Sequence, residues 1–569
     1  MKKIISIILA AVMVLVLAMP ALAADDEVCP VIVISGYSSC DLYENYGTEN
    51  QETVWPFEVS DALNQTLDDL PNFLKCMFLF MLGNGVPAGE SIAKGGEIIL
   101  EKMYTNPDGT SKYNVTHYPN DPKITNYSYL VKGEQGEVNE KELCAACAEK
   151  VGGENVFLFQ YDFRMGVYDS ATELNDYVKA VLEYTGAKKV NMFGISFGGF
   201  ILGSYLSLYK ETAPVNNAVL DVPALGGTSF AKRFFLGEVD FPISSLVSLA
   251  ESLIGKETNL APIFKNTKLS KVEPLASAFL KEIRELPLTW GSMWDLLSPE
   301  DYKELKPQFL DEKENAELIR KSDIIHNDVM KNYRKNFLYC MDRGINISII
   351  CNYVDYTAFG GEKLADMLLD ADKTSGATCA LANEKFSDGY QAVGTTCNKK
   401  SHNHIAPSMQ IDASSCYLPE STWFIKDEYH GCYAKDPYGF ELVKTLLFAE
   451  KRMDIYSDKD YPQFNYSRAP YRTVAADFEN ENPGYISKTR GNLIVTNLSE
   501  TSSIYIRKIE MDGITFEMPA NRIIKPGESI KISYTGSLPT GYEGLKISYI
   551  KSALGKDLYT RTIDIIPNK

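Results

Sequence analysis

Histidine is scarce in this chain. Five residues, His117, His326, His402, His404 and His430, serve 569 positions, so any chemistry that needs an imidazole has few groups to draw on. Positive charge is also short. Lys and Arg number 57 against 75 Asp and Glu, for a net charge of −18. That balance argues against a nucleic-acid partner and against electrostatic docking on an anionic membrane, and says little about neutral or zwitterionic surfaces. After residue 24 no apolar run reaches the ~18–20 residues of a membrane span; the longest candidate, Phe73 to Leu82, is too short. No cysteine follows Cys432, and none stands directly after Ala24. The first absence leaves the tail without disulfides, and the second argues against a lipid-anchored amino terminus.

Residues 1–24 have the form of a bacterial-type export signal, with Met1-Lys2-Lys3, an apolar run from Ile4 to Met19, then Ala21-Leu22-Ala23 before Ala24. The expectation is a secreted protein. Export permits disulfides, and the pairs Cys379–Cys397 and Cys416–Cys432 would each brace a long loop; free thiols are the other reading of the 11 cysteines. Cys144-Ala-Ala-Cys147 has redox spacing, but no thioredoxin-type strand precedes it, so a redox role is not expected.

The most informative stretch is residues 187–200. Val190, Met192 and Phe193 read as a buried strand, Gly194-Ile195-Ser196-Phe197-Gly198 fits G-x-S-x-G, and Phe200 to Leu206 continues at helical spacing. A strand, a tight turn and a helix are the setting in which that pattern presents a serine hydroxyl at the carboxyl edge of a sheet. Ser196 is therefore the candidate nucleophile. The Phe197 amide, opening the helix, is a candidate oxyanion donor. The strand at Pro30 to Ser35 runs into Gly36 and Tyr37, whose amides are candidates for the second donor.

A serine nucleophile needs a base, and an acid to orient it. His117 lies in a polar loop, His326 in a later insertion, and His402 and His404 come too early; His430, in a loop before the last helix, is the expected base. Asp388, in an Asp-Gly turn, is the expected acid, in competition with Asp355 and Asp412. Serine, acid, then histidine is the chain order of an α/β-hydrolase triad. His402 and His404 alone are not a ligand set, so neither a metal nor another cofactor is expected.

The fold class follows from element order. Val156 to Arg164, a helix through Leu174 and Val181, the nucleophile strand, Asn217 to Thr228 and Ile345 to Asn352 alternate strand with helix. That predicts a mostly parallel sheet of the α/β-hydrolase kind over residues 25–465. Asp162 and Arg164 are expected to pair beside the site. Residues 229–340 read as a helical cap insertion, with an amphipathic helix at Ile243 to Ile254. Leu63 to Phe78 recur at helical spacing, as core or as acyl-pocket wall. Residues 466–569 alternate as short strands split by Lys525-Pro-Gly-Glu528 and Leu538-Pro-Thr-Gly541 turns, which predicts a β-sandwich of immunoglobulin-like size.

From about residue 30 to 450 the chain resembles the lecithin:cholesterol acyltransferase-like α/β-hydrolases. The shared landmarks are the Gly36 turn, Trp55-Pro56, Tyr161-Asp162-Phe163-Arg164, the elbow, Val222-Pro-Ala-Leu-Gly-Gly227, Leu296-Leu-Ser-Pro299, Asp388-Gly389 and the late His430. The resemblance implies acyl-ester chemistry on lipids, with Ser196, Asp388 and His430 in the matching positions and a mobile lid. Ile195 stands where that family has His, Phe163 where it has Trp, and Ser387 where it has Gly, so sterol acylation is not carried over. The expected substrate is a lipid or other carboxylic ester, with transient lipid-surface contact through the cap. The tail is expected to bind glycan, cell wall or protein, or to act as a spacer. A polysaccharide deacylase and a catalytically dead adhesion protein are the competing readings.

Overall fold

The computed structural model describes residues 28–56, 101–133, 138–237, 286–356, 363–382, 384–394, 403–467, 474–478, 490–497, 503–525, 527–537, 545–552 and 561–565. The export signal, the Leu63 to Phe78 and Ile243 to Ile254 helices, Cys397 and His402 lie outside these residues. Among the described residues no helix is long and apolar enough to cross a membrane.

The strands are β1 (Val31–Ile34), β2 (Leu42–Glu44), β3 (Glu52–Trp55), β4 (Val115–His117), β5 (Val156–Phe159), β6 (Val190–Ile195), β7 (Val215–Asp221), β8 (Asn346–Tyr356), β9 (Thr378–Cys379), β10 (Ile411–Asp412), β11 (Thr422–Lys426) and β12 (Phe464–Tyr466). Seven form one sheet in the order β12-β11-β8-β7-β6-β1-β5. The pairings of β1 with β5 and β6, β6 with β7, and β11 with β12 are parallel. β1, β5, β6 and β11 are buried at every residue. Strands covered on both faces need unbroken apolar runs such as Val31-Ile-Val-Ile34, not alternation. Helices Val167–Thr185 and Phe197–Leu208 supply the crossovers flanking β6. This is the α/β-hydrolase fold with a mostly parallel seven-stranded sheet, as the element order predicts.

The chain divides into two compact units. The first is Met1–Ile349 with Lys373–Ser375 and Leu446–Met453; the second is Ile350–Asp372 with Gly376–Thr445 and Asp454–Lys569. In the first, the described part of the insertion is helical: Ser229–Leu236, Gly291–Asp295, Pro299–Phe309, Ala316–Ile324 and Tyr333–Asp342. The last of these packs on the helix after the elbow, where the Tyr333 and Ser204 hydroxyls are 3.2 Å apart.

In the second unit, the tail forms two antiparallel sheets of four strands each. β13 (Val474–Phe478), β14 (Arg490–Asn497), β16 (Thr515–Glu517) and β18 (Ser529–Thr535) make one; β15 (Ser503–Glu510), β17 (Ile523–Ile524), β19 (Leu545–Ser552) and β20 (Arg561–Ile565) make the other. Val495, Ile506, Ile532, Ile547 and Tyr534 share one buried cluster. Alternating burial along β15 and β18 is what a strand with one face on a core requires. The cysteines of the described residues are thiols, so of the two readings left open the thiol one holds for Cys416 and Cys432. Cys416 is instead buried in one cluster with Cys351 and Cys379.

Candidate active site

The nucleophile turn is built by close packing. β6 ends at Ile195 and the next helix begins at Phe197, so Ser196 alone makes the reversal, at φ 57° and ψ −121°. A left-handed φ on a non-glycine residue is strained and persists only where its surroundings fix it. Here the Ser196 amide donates to the Asp221 carbonyl at 2.9 Å, and the Ser196 carbonyl accepts from the amides of Phe200 at 3.1 Å and Ala224 at 3.2 Å. The flanking glycines are steric necessities. A Cβ on Gly198 would lie 2.3 Å from the Ile34 carbonyl oxygen, and one on Gly194 would lie 2.6 Å from that of Gly198. In a buried stretch from Val190 to Ser207, Ser196 is partly exposed.

The turn after β1 lies directly over this serine. A Cβ on Gly36 would sit 3.5 Å from Ser196 Cβ and 3.9 Å from its Oγ. Three side chains pin residues 35–39. The Tyr161 hydroxyl donates to the carbonyls of Ser35, at 3.0 Å, and Gly36. Trp55 Nε1 donates to Ser38 O at 2.8 Å, and Asn139 Nδ2 to Ser39 O at 2.6 Å. The Tyr37 ring lies edge-on to Phe197 at 5.2 Å and tilted against Phe163 at 5.3 Å. Its hydroxyl is 3.1 Å from Ser292 Oγ. Gly36, Tyr37 and Phe197 are thus brought together around Ser196, as the sequence places them.

Asp162 and Arg164 pair as expected. Arg164 Nε donates to Asp162 Oδ1 at 2.9 Å and Nη2 to Oδ2 at 2.6 Å, with Arg164 wholly buried. The remaining donors reach the Lys102 carbonyl and the Ser111 hydroxyl. The pair holds Phe163 between Trp55 at 5.4 Å and Trp290 at 5.9 Å.

The second unit carries a histidine–carboxylate pair. His430 Nδ1 is 2.8 Å from Asp366 Oδ2, and the His430 amide donates to the Asp366 carbonyl at 2.9 Å. Asp366 is 1 % exposed, and its Oδ1 accepts the amides of Leu368 at 3.0 Å and Leu369 at 2.7 Å. These two amides and the imidazole hold the carboxylate in one orientation. An imidazole that donates to a carboxylate through Nδ1–H keeps its lone pair on Nε2. The His430 loop is fixed too: Asp427, at φ 59°, donates its amide to Tyr353 O at 2.8 Å, and Gly431 follows at φ 66°.

The expected acid is corrected here. Asp388 is exposed, in a turn closed by Tyr390 N to Ser387 O at 3.1 Å, and the carboxylate on His430 belongs to Asp366. Asp412 is committed elsewhere, accepting from Ser414 N, Val393 N and the Tyr390 hydroxyl. The missed signal was Asp366 itself, one carboxylate inside Leu364-Ala-Asp-Met-Leu-Leu369. An acid in an apolar run is buried and must be paired. The other histidines of the described residues are engaged. His117 pairs with Glu173, His326 Nε2 bonds the Trp294 carbonyl, and His404 Nδ1 bonds Gln463. Among the described residues no cluster of ligands could hold a metal ion.

Sheet, elbow and oxyanion turn together define an α/β-hydrolase fold, and the family model described as alpha/beta hydrolase fold matches residues 133–240. The chain is similar in structure to phospholipase PlaB from Legionella pneumophila, at 11% identity over 75% of this chain and 86% of that one, with a TM-score of 0.28. It is also similar to Bacillus licheniformis lipase BlEst2 in its propeptide form, at 9% identity over 73% and 88%, with a TM-score of 0.22. A third similarity is to the Tle4-Tli4 complex, at 12% identity over 57% and 75%, with a TM-score of 0.24. No curated protein matches the sequence.

Proposed function

We propose that the protein is a secreted serine hydrolase of carboxylic esters, with lipid esters as its substrates. The observation that carries this reading is the strained Ser196 at the end of β6, with the Gly36 backbone packed over its side chain. Ser196 is the nucleophile, His430 the base and Asp366 the orienting acid. Each half has the internal geometry its role needs, and the three follow in the chain order of this fold.

The reaction runs in two steps. His430 Nε2 takes the Ser196 proton as Oγ attacks the ester carbonyl, and Asp366 stabilises the imidazolium. The Phe197 amide, with that of Gly36 or Tyr37, receives the oxyanion. His430 returns the proton to the leaving alcohol, which departs and leaves an acyl-Ser196. Water, activated by His430, then releases the acid; an alcohol in its place would give acyl transfer.

Residues 229–340 act as the cap, and the two tail sheets as an immunoglobulin-like module for a glycan, cell-wall or protein partner. Export rests on residues 1–24. The choice of lipid over polysaccharide esters rests on the resemblance in the catalytic part. Hydrolysis of p-nitrophenyl esters from C2 to C16, beside Ser196→Ala, tests the proposal. Activity that rises with chain length and is lost in the variant supports it. Activity on C2 alone favours polysaccharide deacylation, and no activity on any ester removes the enzyme reading.

A further inference from the structure

Among the described residues, a polar contact ties the turn over Ser196 to the insertion. Tyr37 follows Gly36 directly, and its hydroxyl is 3.1 Å from Ser292 Oγ, 255 residues later in the chain. Both ends are held. The Tyr37 ring is wedged between Phe197, the first residue of the helix after the nucleophile, and Phe163. Ser292 is fully buried in the short helix Gly291–Asp295. That helix is anchored on three sides. Trp290 Nε1 donates to Met103 O at 3.0 Å. Asp295 accepts from the Val167 amide at 2.7 Å and from the Ser322 hydroxyl at 2.7 Å. The Leu296 carbonyl accepts the Thr228 amide at 2.8 Å. Burial also keeps the Tyr37 phenol well above its ordinary pKa, so it remains a neutral hydroxyl at working pH.

The geometry has a consequence for the reaction. The carbonyls of Ser35 and Gly36 are fixed by Tyr161, and that of Ser38 by Trp55. These bonds act on backbone within the turn. The Tyr37 side chain reaches from the turn to the insertion, and it does so beside the two amides assigned to the oxyanion. A hydrogen-bond donor contributes to a transition state only when preorganised, and small misplacements are costly.

We propose that Tyr37 is a positioning residue: its hydroxyl, held by Ser292, sets the oxyanion turn and makes catalytic rate depend on how the insertion is seated. This rests on the esterase reading above. It assigns Tyr37 a role through its side chain, separate from any role of its amide, and names Ser292 as the contact by which the insertion acts on the site.

The test is a double-mutant cycle on the full chain with Tyr37→Phe and Ser292→Ala. Four quantities are measured for each protein: kcat, KM, melting temperature, and the rate at which a fluorophosphonate labels Ser196. Tyr37→Phe keeps the ring and its packing and removes only the hydroxyl. We expect each single variant to lose about 5- to 20-fold in kcat, with KM within about twofold and a parallel loss in labelling rate. The double variant should be little worse than either single one, because the two changes remove one interaction. A lower melting temperature with unchanged kcat and labelling rate in both single variants would show a merely structural bond and overturn the inference while leaving the esterase reading intact. Strictly multiplicative losses in the double variant would overturn it too. If the natural protein neither hydrolyses esters nor takes the label on Ser196, the esterase reading fails and this inference fails with it.

Discussion

His430 Nδ1 and Asp366 Oδ2 stand 2.8 Å apart, and the His430 amide also bonds the Asp366 carbonyl. Side chain and backbone are therefore locked by the same acidic residue. The ring is fixed in direction before any substrate arrives, which is what the base role proposed for His430 requires.

The choice between carboxylates is directly testable. Asp366→Asn should lower kcat by about a thousandfold or more by presenting the wrong partner to the imidazole. Asp388→Asn should leave kcat within about twofold, because Asp388 is exposed on a turn. Steady-state kinetics on a p-nitrophenyl ester reads both. The reverse order of effects would return the acid role to Asp388.

The space above Ser196 should be sensitive to a single methyl group. In Gly36→Ala the new Cβ meets Ser196 at ordinary contact distances of 3.5 Å and 3.9 Å. The fold should tolerate it, with the melting temperature within about 2 °C, while the methyl group occupies room the ester carbonyl needs and activity falls. Gly198→Ala is the contrast. Its Cβ would lie 2.3 Å from backbone oxygen, so soluble yield and melting temperature should drop together with activity.

Much of this was legible in the sequence. β5, β6 and the tail strands could be read from their patterns, because continuous apolar runs and strict alternation each fit one kind of burial. The strained turn at Ser196, and the approach of Gly36 to it, were legible because turn geometry demands glycine at fixed offsets from the serine. His430 could be singled out by elimination among few histidines. The carboxylate that meets it could not, because a turn-forming Asp-Gly is a local signal whereas Asp366 is specified by a contact 64 residues away. The three-stranded sheet of β2, β3 and β4 was also hidden, since β2 and β4 pair across a long intervening segment. Whether Cys416 and Cys432 pair stayed open because spacing in the chain says nothing of which thiols share a core.

The buried ion pair beside the site should dominate local stability. Arg164→Met leaves the Asp162 carboxylate, 7 % exposed, without its partner. Removing one member of such a pair costs about 3–5 kcal/mol. Urea denaturation should show a lower midpoint, and an unchanged midpoint would mean that water replaces the guanidinium.

Asp295 supplies a pH dependence. Burial raises its carboxyl to about 7, against the hydrogen bonds from Ser322 and Val167. The folded protein then holds a proton that the unfolded chain releases near the ordinary carboxylate value. Stability from this group is full below about pH 4 and is lost as pH rises toward 7. Asp295→Asn stays neutral and removes that slope. The melting temperature of the variant relative to the natural protein should therefore rise with pH across this window. A difference that is flat with pH would show that the carboxyl is ionised throughout.

The most direct measurement is fluorophosphonate labelling followed by peptide mass spectrometry on the natural protein, Ser196→Ala and His430→Ala. We expect one adduct per chain, on the peptide that carries Ser196, absent in Ser196→Ala and slowed by at least about a hundredfold in His430→Ala. An unlabelled natural protein, or an adduct on another residue, would contradict the assignment of Ser196 as the nucleophile.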